Sequence, residues 1–372
     1  MLLVMKISIA HPSRELEKID HFNDKFNNLL KEGIYVGGDV VKEFENNLKS
    51  FLGSKYIVTL NSGTDALLMG LLALGVREGD EVLVPSFTFF ASVECILHLR
   101  AVPVFVDINP DNFCMDMDDM INKITSKTKA IIPVDLFGND SNIHELNKFA
   151  KNNDLLIVED VAQAFGSKDS QENYLGTIVD VGAYSFFPSK NLGGIGDGGM
   201  LTTNNEKVYE LISRLKNHGQ KSTYEHEMLG YNSRLDTLNA FVLNEKLKIF
   251  HEIIKGRNNF YSFYIEGLQH LDWLTLPKKN NKDTLLNYFT IKVRPEIRNK
   301  FINYLTDNSI GNAIYYRKPI HKQKALENIL KNKNTLPVTD EVSDSVVSLP
   351  YYSFPKENEL DYILDKFLKF KP

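Results

Sequence analysis

Three short segments of the 372-residue chain place reactive or anion-binding residue types directly after an apolar run. The first, residues 61–65, follows the run 56–60 and opens a helical stretch. A turn of this kind presents free backbone N–H groups and the positive end of a helix dipole, and Gly63 would let the backbone approach an anion closely. Gly63 and Thr64 are therefore candidate phosphate-binding residues, although Ser and Thr here are also typical of an ordinary helix N-cap.

A carboxylate stands at the end of a second apolar run. Asp160 follows residues 155–159, and Gln163 comes one helical step later. A carboxylate at the end of a buried strand needs a charged or hydrogen-bonding partner. A protonated pyridinium nitrogen would be such a partner, and holding that proton lets a pyridoxal ring draw electrons from a substrate. The other interpretation is a carboxylate that caps the next helix.

The third segment places Ser189 and Lys190 between the apolar residues 185–187 and the glycine-rich run 193–199. Lysine is seldom buried without a reason. Apolar surroundings favour the free amine, which can bond covalently to a carbonyl carbon. The sequence therefore offers Lys190 as a nucleophile and Ser189 as a further phosphate ligand, against the plain alternative of a solvated lysine on a flexible loop.

Strand and helix patterns alternate between Lys55 and about Thr203, which predicts a largely parallel sheet with helices on both faces. Several strand candidates are continuous apolar runs, as strands buried on both faces should be. The predicted strands are residues 56–60, 81–85, 102–107, 130–136, 155–159, 182–187 and 200–203. The predicted helices of this part are residues 65–74, 91–99, 143–152 and 207–218.

The sequence changes character after about Leu238. One long helix is predicted over residues 240–268, followed by a strand at 286–293 and helices at 297–307 and 357–370. We therefore expect an α/β fold with a large domain, residues 1–245, and a small C-terminal α+β domain, residues 246–372.

Composition and charge argue against several functions. The formal net charge of −5 at pH 7 lacks the basic excess that general nucleic-acid binding needs. Cys95 and Cys114 are too far apart for a CxxC motif, and the histidines show no metal-ligand spacing, so no metal is expected. The apolar N-terminus, residues 1–9, is too short for a signal peptide, and no apolar run is long enough to span a bilayer. We therefore expect a cytoplasmic protein with no nucleic-acid or membrane partner.

The order of the three segments resembles the layout of fold-type I enzymes that use pyridoxal 5′-phosphate (PLP). Within them, the chain resembles the DegT/StrS-type nucleotide-sugar aminotransferases, whose fold is a mostly parallel seven-stranded sheet between helices. The resemblance extends over nearly the whole chain, with a weaker match near Leu349-Pro350. It rests on the segments NSGTDAL (61–67), GDEVLVPSFTFFAS (79–92), PVFVDI (103–108), TKAIIPVDLFG (128–138), VEDVAQAFGS (158–167), SFFPSKNLGGIGDGGM (185–200), HG (218–219) and GYNSRLDTLNA (230–240).

This resemblance implies a role for each matching residue of a cofactor site. Lys190 would bond PLP covalently and move a proton between the substrate carbon and the cofactor, while Asp160 would pair with the pyridinium nitrogen. The other cofactor-binding residues would be Gly63, Thr64 and Ser189 at the phosphate, Phe89 stacked on the ring, Gln163 at the ring oxygen, and Asn232, which reaches the phosphate from the neighbouring subunit. That role of Asn232 implies a homodimer with shared active sites.

The residues that fall where the family contacts its substrate are Arg234, Tyr315, Tyr316, Arg317 and His321. This part departs from the family, which commonly has His-Tyr-Pro where the chain has Tyr315-Tyr316-Arg317. Arg317 could bind a diphosphate or a sugar carboxylate or lie free on the surface. Arg234 could equally form an interface salt bridge. Asp135 stands where many relatives have His, and no role is predicted for it.

The implied reaction is a two-stage amino transfer. L-Glutamate would convert PLP to pyridoxamine phosphate (PMP), and a keto sugar carried by dTDP or UDP would then take the amine, for surface glycan synthesis. The segment GYNSRLD (230–236) favours amination at C3, with C4 of a 4-keto-6-deoxy sugar as the alternative. Two further alternatives are a non-catalytic regulator of the same fold and a PLP enzyme that acts on amino acids alone. An intact Lys190, Asp160 and Ser189 argues against the regulator.

Overall fold

The computed structural model describes residues 5–329 and 335–372, so the first four residues of the apolar N-terminus lie outside it. Its centre is a seven-stranded sheet in the order β1-β7-β6-β5-β4-β2-β3. The strands are β1 (Tyr56–Leu60), β2 (Glu81–Pro85), β3 (Val102–Val106), β4 (Thr128–Ile131), β5 (Leu156–Asp160), β6 (Val181–Ser185) and β7 (Gly199–Thr203). Neighbouring strands are parallel except at β7, which is antiparallel to β1 and β6. The predicted, mostly parallel α/β sheet is therefore confirmed.

Strand β7 is reversed because no helix connects it to β6. A parallel return needs a crossover of about a dozen residues, usually a helix, whereas an antiparallel return needs only a loop. Here the glycine-rich loop 186–198 turns the chain back, closed by the hydrogen bond from Phe186 N to Gly198 O. Because this loop carries Lys190, the lysine lies at the edge of the sheet where the parallel strands have their carboxyl ends.

Helices cover both faces of the sheet, and alternate strand residues belong to two separate apolar cores. In β1, for example, Val58 and Leu60 face one core and Ile57 faces the other. The period of two along a strand produces this division. The helices are α1 (Ser13–Leu16), α2 (Phe22–Glu32), α3 (Gly38–Leu52), α4 (Gly63–Ala73), α5 (Ala91–His98), α6 (Met117–Asn122), α7 (Ile143–Asn152), α8 (Glu206–Leu215), α9 (Thr237–Lys248), α10 (Phe250–Leu268), α11 (Pro295–Asp307), α12 (Pro337–Ser345) and α13 (Glu357–Lys369).

One predicted strand is wrong over most of its length. Residues 130–136 form a strand only as far as Ile131, where β4 ends. Pro133 has no N–H to donate to a neighbouring strand. Beyond it the chain turns into a short 3₁₀ helix, Leu136–Gly138, with Phe137 at a positive φ of 59°. The other predicted strands of the large sheet agree with the structure to within about two residues at each end, the usual uncertainty of element boundaries.

The predicted single helix over residues 240–268 is two helices. The break falls at Ile249, where φ is −102° and ψ is 14°. Helix α9 packs against α3 beside the large sheet, whereas α10 starts in the same core and continues into the core of the C-terminal part, where it packs against α13. A straight helix could not follow both surfaces, so the chain bends between them.

A smaller sheet lies in the C-terminal part of the chain. Its strand order is β10-β11-β12, with β10 at Leu274–Thr275, β11 at Phe289–Val293 and β12 at Val346–Leu349, and a separate hairpin pairs β8 (Gln220–Ser222) with β9 (Glu225–His226). The apolar core under the smaller sheet also includes Ile7 from the N-terminus, which is bridged to Ile310. Among the helices of the described ranges, none combines the length and the apolar character that a bilayer crossing requires.

Candidate active site

The carboxyl ends of the parallel strands surround a pocket of about 570 Å³. Strand–turn junctions after β1, β2, β5 and β6 all open into it, which is where ligands bind in open α/β sheets. The residues that line it are Ser62, Gly63, Thr64, Leu67, Thr88, Phe89, Ala91, Val134, Asp160, Ala162, Gln163, Ser185, Phe187, Ser189, Lys190, Asp197, Gly198, Tyr288, Tyr315 and Tyr316. The structure thus brings together residues that the sequence analysis selected from five separate segments.

The turn between β1 and α4 places the N-terminus of a helix at one end of the pocket. Ser62 is the N-cap of α4, and its Oγ accepts a hydrogen bond from Asp65 N at 3.0 Å. The next two residues, Gly63 and Thr64, line the pocket at the start of an 11-residue helix. A Cβ on Gly63 would lie 2.9 Å from the Cβ of Ser185, so glycine is needed for the helix to approach β6 this closely. The N-cap is therefore confirmed at Ser62, and Gly63 and Thr64 remain candidate phosphate-binding residues at the same helix N-terminus.

Asp160 is a buried carboxylate at the end of β5. Its Oδ2 accepts a hydrogen bond from Ser92 Oγ at 2.8 Å, and its Oδ1 accepts one from Ala162 N at 3.1 Å. Ser92 Oγ in turn lies 3.0 Å from Thr88 Oγ1, and because Ser92 donates its only hydroxyl hydrogen to Asp160, Thr88 must be the donor of that pair. Burial raises the pKa of Asp160, while these hydrogen bonds and the nearby charge of Lys190 lower it. A cationic ring nitrogen in the pocket would compensate the buried charge.

Gln163 is already engaged by the protein on both ends of its amide. Its Oε1 accepts from Phe137 N at 2.9 Å, and its Nε2 donates to Tyr316 Oη at 2.9 Å. The Tyr316 ring lies 6.3 Å from the Phe89 ring, centroid to centroid. Phe89 is 58% exposed and faces the pocket, so its ring is free to stack on a planar ligand. Gln163 therefore lines the pocket and also holds Tyr316 against it.

Lys190 and Ser189 line the pocket from the loop that follows β6. Lys190 Nζ lies 5.9 Å from the centroid of the Tyr288 ring, and Ser189 Oγ lies 3.0 Å from Tyr288 Oη. The Tyr288 ring is also 4.5 Å from that of Tyr315. Sequence analysis missed Tyr288, which lies 99 residues along the chain from Ser189 and carries no motif. It also missed Ser62, Thr88, Ser185, Phe187 and Asp197, although their places at strand ends next to the chosen residues were a signal.

Comparison with known proteins identifies the chain at the level of its family. The sequence profile of the DegT/DnrJ/EryC1/StrS aminotransferase family matches residues 17–368. The chain belongs to this family. The UDP-2-acetamido-2-deoxy-3-oxo-D-glucuronate aminotransferase of Pseudomonas aeruginosa is 37% identical over 328 residues, 88% of this chain and 89% of that protein. The UDP-N-acetyl-3-dehydro-α-D-glucosamine 3-aminotransferase of Acidithiobacillus ferrooxidans is 35% identical over 333 residues, 89% of each.

Solved structures of this aminotransferase family have the same fold. DesV of S. venezuelae, in complex with a ketimine intermediate, superposes with a TM-score of 0.93 at 30% identity and covers 99% of this chain and 100% of its own. NtdA of Bacillus subtilis with bound PMP superposes with a TM-score of 0.88 at 30% identity, over 97% of this chain and 82% of that one. The chain is therefore an aminotransferase of fold type I, and its cofactor is PLP.

The pocket of this aminotransferase contains the groups that PLP requires. A helix N-terminus and the hydroxyl groups of Ser185 and Ser189 suit a phosphate, since both supply hydrogen-bond donors to an anion. The Asp160 carboxylate, buried with only two hydrogen-bond donors, suits a cationic ring nitrogen. The amine of Lys190 suits a carbonyl carbon. When bound, the cofactor supplies an electron sink that allows an amino-bearing carbon to lose its proton.

Asn232 and Arg234 lie outside the pocket of their own chain. Arg234 Nη2 donates to Asn232 Oδ1 at 2.6 Å, and Arg234 Nη1 donates to Asn217 Oδ1 at 3.2 Å. Between them, Ser233 is buried and its Oγ donates to Asp65 Oδ2 at 2.7 Å. Asn232 is thus exposed on the surface and held in place by Arg234. The hydrogen bond from Ser233 to Asp65 joins this segment to the start of α4.

The predicted substrate residues divide into two groups. Tyr315 and Tyr316 form a wall of the pocket, whereas Arg317 is exposed and does not line it. His321 is buried against the end of β2, with Nδ1 2.7 Å from Ser86 Oγ and Nε2 3.4 Å from Asp340 Oδ1. His321 therefore does not line the pocket. Its contacts instead join three parts of the chain.

The charge state of His321 follows from these contacts. Ser86 Oγ accepts from His321 N at 3.1 Å, so its own hydrogen is free to go to Nδ1, which leaves the ring proton on Nε2 facing Asp340. Burial lowers the pKa of His321, with the carboxylate of Asp340 acting in the opposite direction. A neutral His321 thus anchors the segment that carries Tyr315 and Tyr316.

Proposed function

We propose that this aminotransferase moves the amino group of L-glutamate, through PLP, to a keto group of a sugar carried by UDP or dTDP, with C3 as the favoured position. The observation that carries the proposal is the pocket in which Lys190, Asp160 and the turn at Gly63 meet. The two relatives quoted above both have names that specify a 3-oxo or 3-dehydro UDP sugar, which supports C3 and a nucleotide-linked substrate. Use in surface glycan synthesis and a cytoplasmic location remain predictions.

Each of these residues of the pocket would have a separate role in the reaction. Lys190 Nζ takes the proton from the amino-bearing carbon and returns a proton during the second half of the reaction. Asp160 keeps a proton on the ring nitrogen, since a buried carboxylate favours a cation beside it. The phosphate would be held by Gly63 and Thr64 at the helix N-terminus and by Ser189. Phe89 would stack on the ring.

A homodimer would complete this site. Asn232 is exposed and held in place by Arg234. A residue that reaches into the pocket of a partner subunit needs both properties. Exposed apolar side chains near the start of α3 include Ile34, Tyr35 and Val36, and such clusters on a soluble protein mark interaction surfaces. Tyr315 and Tyr316 would contact the sugar, and Arg234 and Arg317 remain predicted substrate residues.

Absorbance spectroscopy tests the proposal. Wild type reconstituted with PLP should show a visible band that glutamate bleaches, and Lys190→Ala should show no such lysine-dependent band. No band in wild type would instead support the non-catalytic regulator of the same fold. Mass spectrometry of products from 3-keto and 4-keto sugars, each linked to UDP and to dTDP, then distinguishes C3 from C4 amination. Bleaching by glutamate without turnover of any keto sugar would favour an enzyme acting on amino acids alone.

A further inference from the structure

The peptide group between Gly193 and Gly194 is held from both sides. Its carbonyl oxygen, on Gly193, accepts a hydrogen bond from Lys246 Nζ at 2.6 Å. Its N–H, on Gly194, donates to Phe186 O at 2.8 Å. The loop that carries Lys190 is therefore fixed shortly after the lysine by one contact to its own strand and one contact to a buried side chain of α9.

Helix α9 supplies a second contact from the same face. Asn239 Oδ1 accepts from Ile195 N at 2.9 Å, and Asn239 Nδ2 donates to Asp197 O at 2.8 Å. Asn239 and Lys246 are about two helical turns apart, so their side chains project on one side of the helix, and both are buried. Helix α9 thus holds the half of the loop that returns from Lys190 to β7.

Lys246 is unusual because its charge is almost completely buried. The residue is 1% exposed, and its Nζ lies 2.6 Å from Glu15 Oε2. Glu15 Oε1 accepts in turn from Ser353 Oγ at 2.8 Å. A buried ion pair adds little net stability relative to well-packed apolar side chains, because both charges lose their water. What apolar side chains could not replace is the directional hydrogen bond to Gly193 O.

We propose that Lys246 is a positioning residue for Lys190. By holding the Gly193 carbonyl, it determines where the Lys190 amine meets the cofactor. Glu15 neutralises Lys246, and Ser353, which follows β12, anchors Glu15, so the placement of Lys190 depends on the N-terminal helix and on the C-terminal part of the chain. This assignment rests on the proposed function, in which Lys190 is the lysine that bonds PLP.

Lys246→Met tests the assignment, because it removes the charge and the donor but keeps an unbranched side chain. Lys248→Met on the same helix is the control, since the Lys248 side chain is 54% exposed and its partner Glu245 keeps a second cation, Lys25, when Lys248 is removed. Hydrogen–deuterium exchange of the Gly194 amide, measured without PLP, reports the loop, and titration with PLP reports cofactor affinity. In Lys246→Met, both the exchange rate and the PLP Kd should rise at least about tenfold, as loss of one charge-assisted hydrogen bond implies. Lys248→Met should leave both unchanged.

The double variant Lys246→Met/Glu15→Gln distinguishes the loss of the hydrogen bond to Gly193 O from the effect of an unpaired Glu15 charge. It also replaces Lys246→Met in the test if that variant alone does not fold. Removing the Glu15 carboxylate relieves an unpaired buried charge, so the Tm should recover. Fast exchange and weak PLP binding should persist, because Gly193 O still lacks its donor. Recovery of both in the double variant, or unchanged exchange in Lys246→Met, overturns the positioning role. Failure of the proposed function is recognised separately, by a wild type without a PLP band or by a Lys190→Ala variant that keeps it.

Discussion

Two buried aspartates that lie next to each other at one edge of the sheet, Asp160 and Asp135, differ in their hydrogen-bond partners. Asp160 faces the pocket and receives two hydrogen bonds. Asp135 receives hydrogen bonds from Ser141 on Oδ1, while its Oδ2 and the Oε2 of buried Glu159 have no donor. Two carboxylates can hydrogen bond to each other only if they share a proton. Burial, the larger cause, raises the pKa of Asp135 to about 7 and also raises the pKa of Glu159.

Asp160→Asn should lower kcat at least about a hundredfold, because an amide does not keep a proton on the ring nitrogen and the electron sink is lost. Ser92→Ala removes one hydrogen bond from the Asp160 carboxylate but keeps its charge, so its loss should be much smaller. Steady-state kinetics with glutamate and a keto sugar measure both. Equal losses in the two variants would contradict a role for the charge itself.

The raised pKa of buried Asp135 predicts a pH dependence of stability. Because the pKa of Asp135 is raised on folding from 3.8 to about 7, its contribution to stability is complete below pH 4 and is lost as the pH rises toward 7. The slope is about 1.4 kcal/mol per pH unit for one proton. Urea unfolding of wild type and Asp135→Asn between pH 4.5 and 7 checks this, since the variant should lose the Asp135 part of the slope and keep the part that the raised pKa of Glu159 contributes. Parallel curves would show that Asp135 is ionised throughout.

At the scale of elements, the close approach of α4 to β6 shapes the turn that we propose as the phosphate site. The helix begins at Gly63 directly after the Ser62 cap, and Ser185 at the end of β6 lies against it. Helix α4 also approaches β6 closely at Gly70, where a Cβ would lie 2.9 Å from Val181 Cγ1. The helix therefore lies flat on the sheet with its N-terminus at the strand ends, which is the arrangement that an anion site needs.

Gly63→Ala should weaken PLP binding about tenfold or more, because the added methyl group forces the turn away from Ser185. Gly196→Ala is a matched control in the glycine-rich loop, since a Cβ there meets nothing within 4 Å. Titration with PLP, followed at the visible band, measures the Kd of both variants. A Gly63→Ala protein with wild-type affinity would place the phosphate elsewhere in the pocket.

At the scale of the whole molecule, the pocket is open on the side where aromatic side chains reach the surface. Phe89 is 58% exposed and Phe187 is 50% exposed, although both line it. Aromatic rings beside a ligand are normally shielded from water on the far side. A second subunit that presents Asn232 would provide this cover and would contribute to the phosphate site.

Shared active sites predict complementation between inactive variants. Lys190→Ala and Asn232→Ala damage a site from different subunits if Asn232 acts across the interface. Co-expressed with separate tags, they should give about a quarter of wild-type activity, because about half of the dimers are mixed and each has one undamaged site. The doubly tagged fraction contains only mixed dimers, so its specific activity should be about half that of wild type. An inactive mixed dimer would show that Asn232 serves its own chain.

The sequence by itself determined the chemistry that depends on local order. Asp160 and Lys190 each follow an apolar run, and Gly63 opens the helix that follows a third apolar run. Their places at one edge of a parallel sheet therefore follow from the alternation of strands and helices alone. The tertiary structure decided everything that depends on distant partners. It placed Tyr288 beside Ser189, placed His321 outside the pocket lining, and buried the carboxylates of Asp135 and Glu159. The physical reason is that burial and pairing are properties of packed neighbours, which adjacent sequence does not contain.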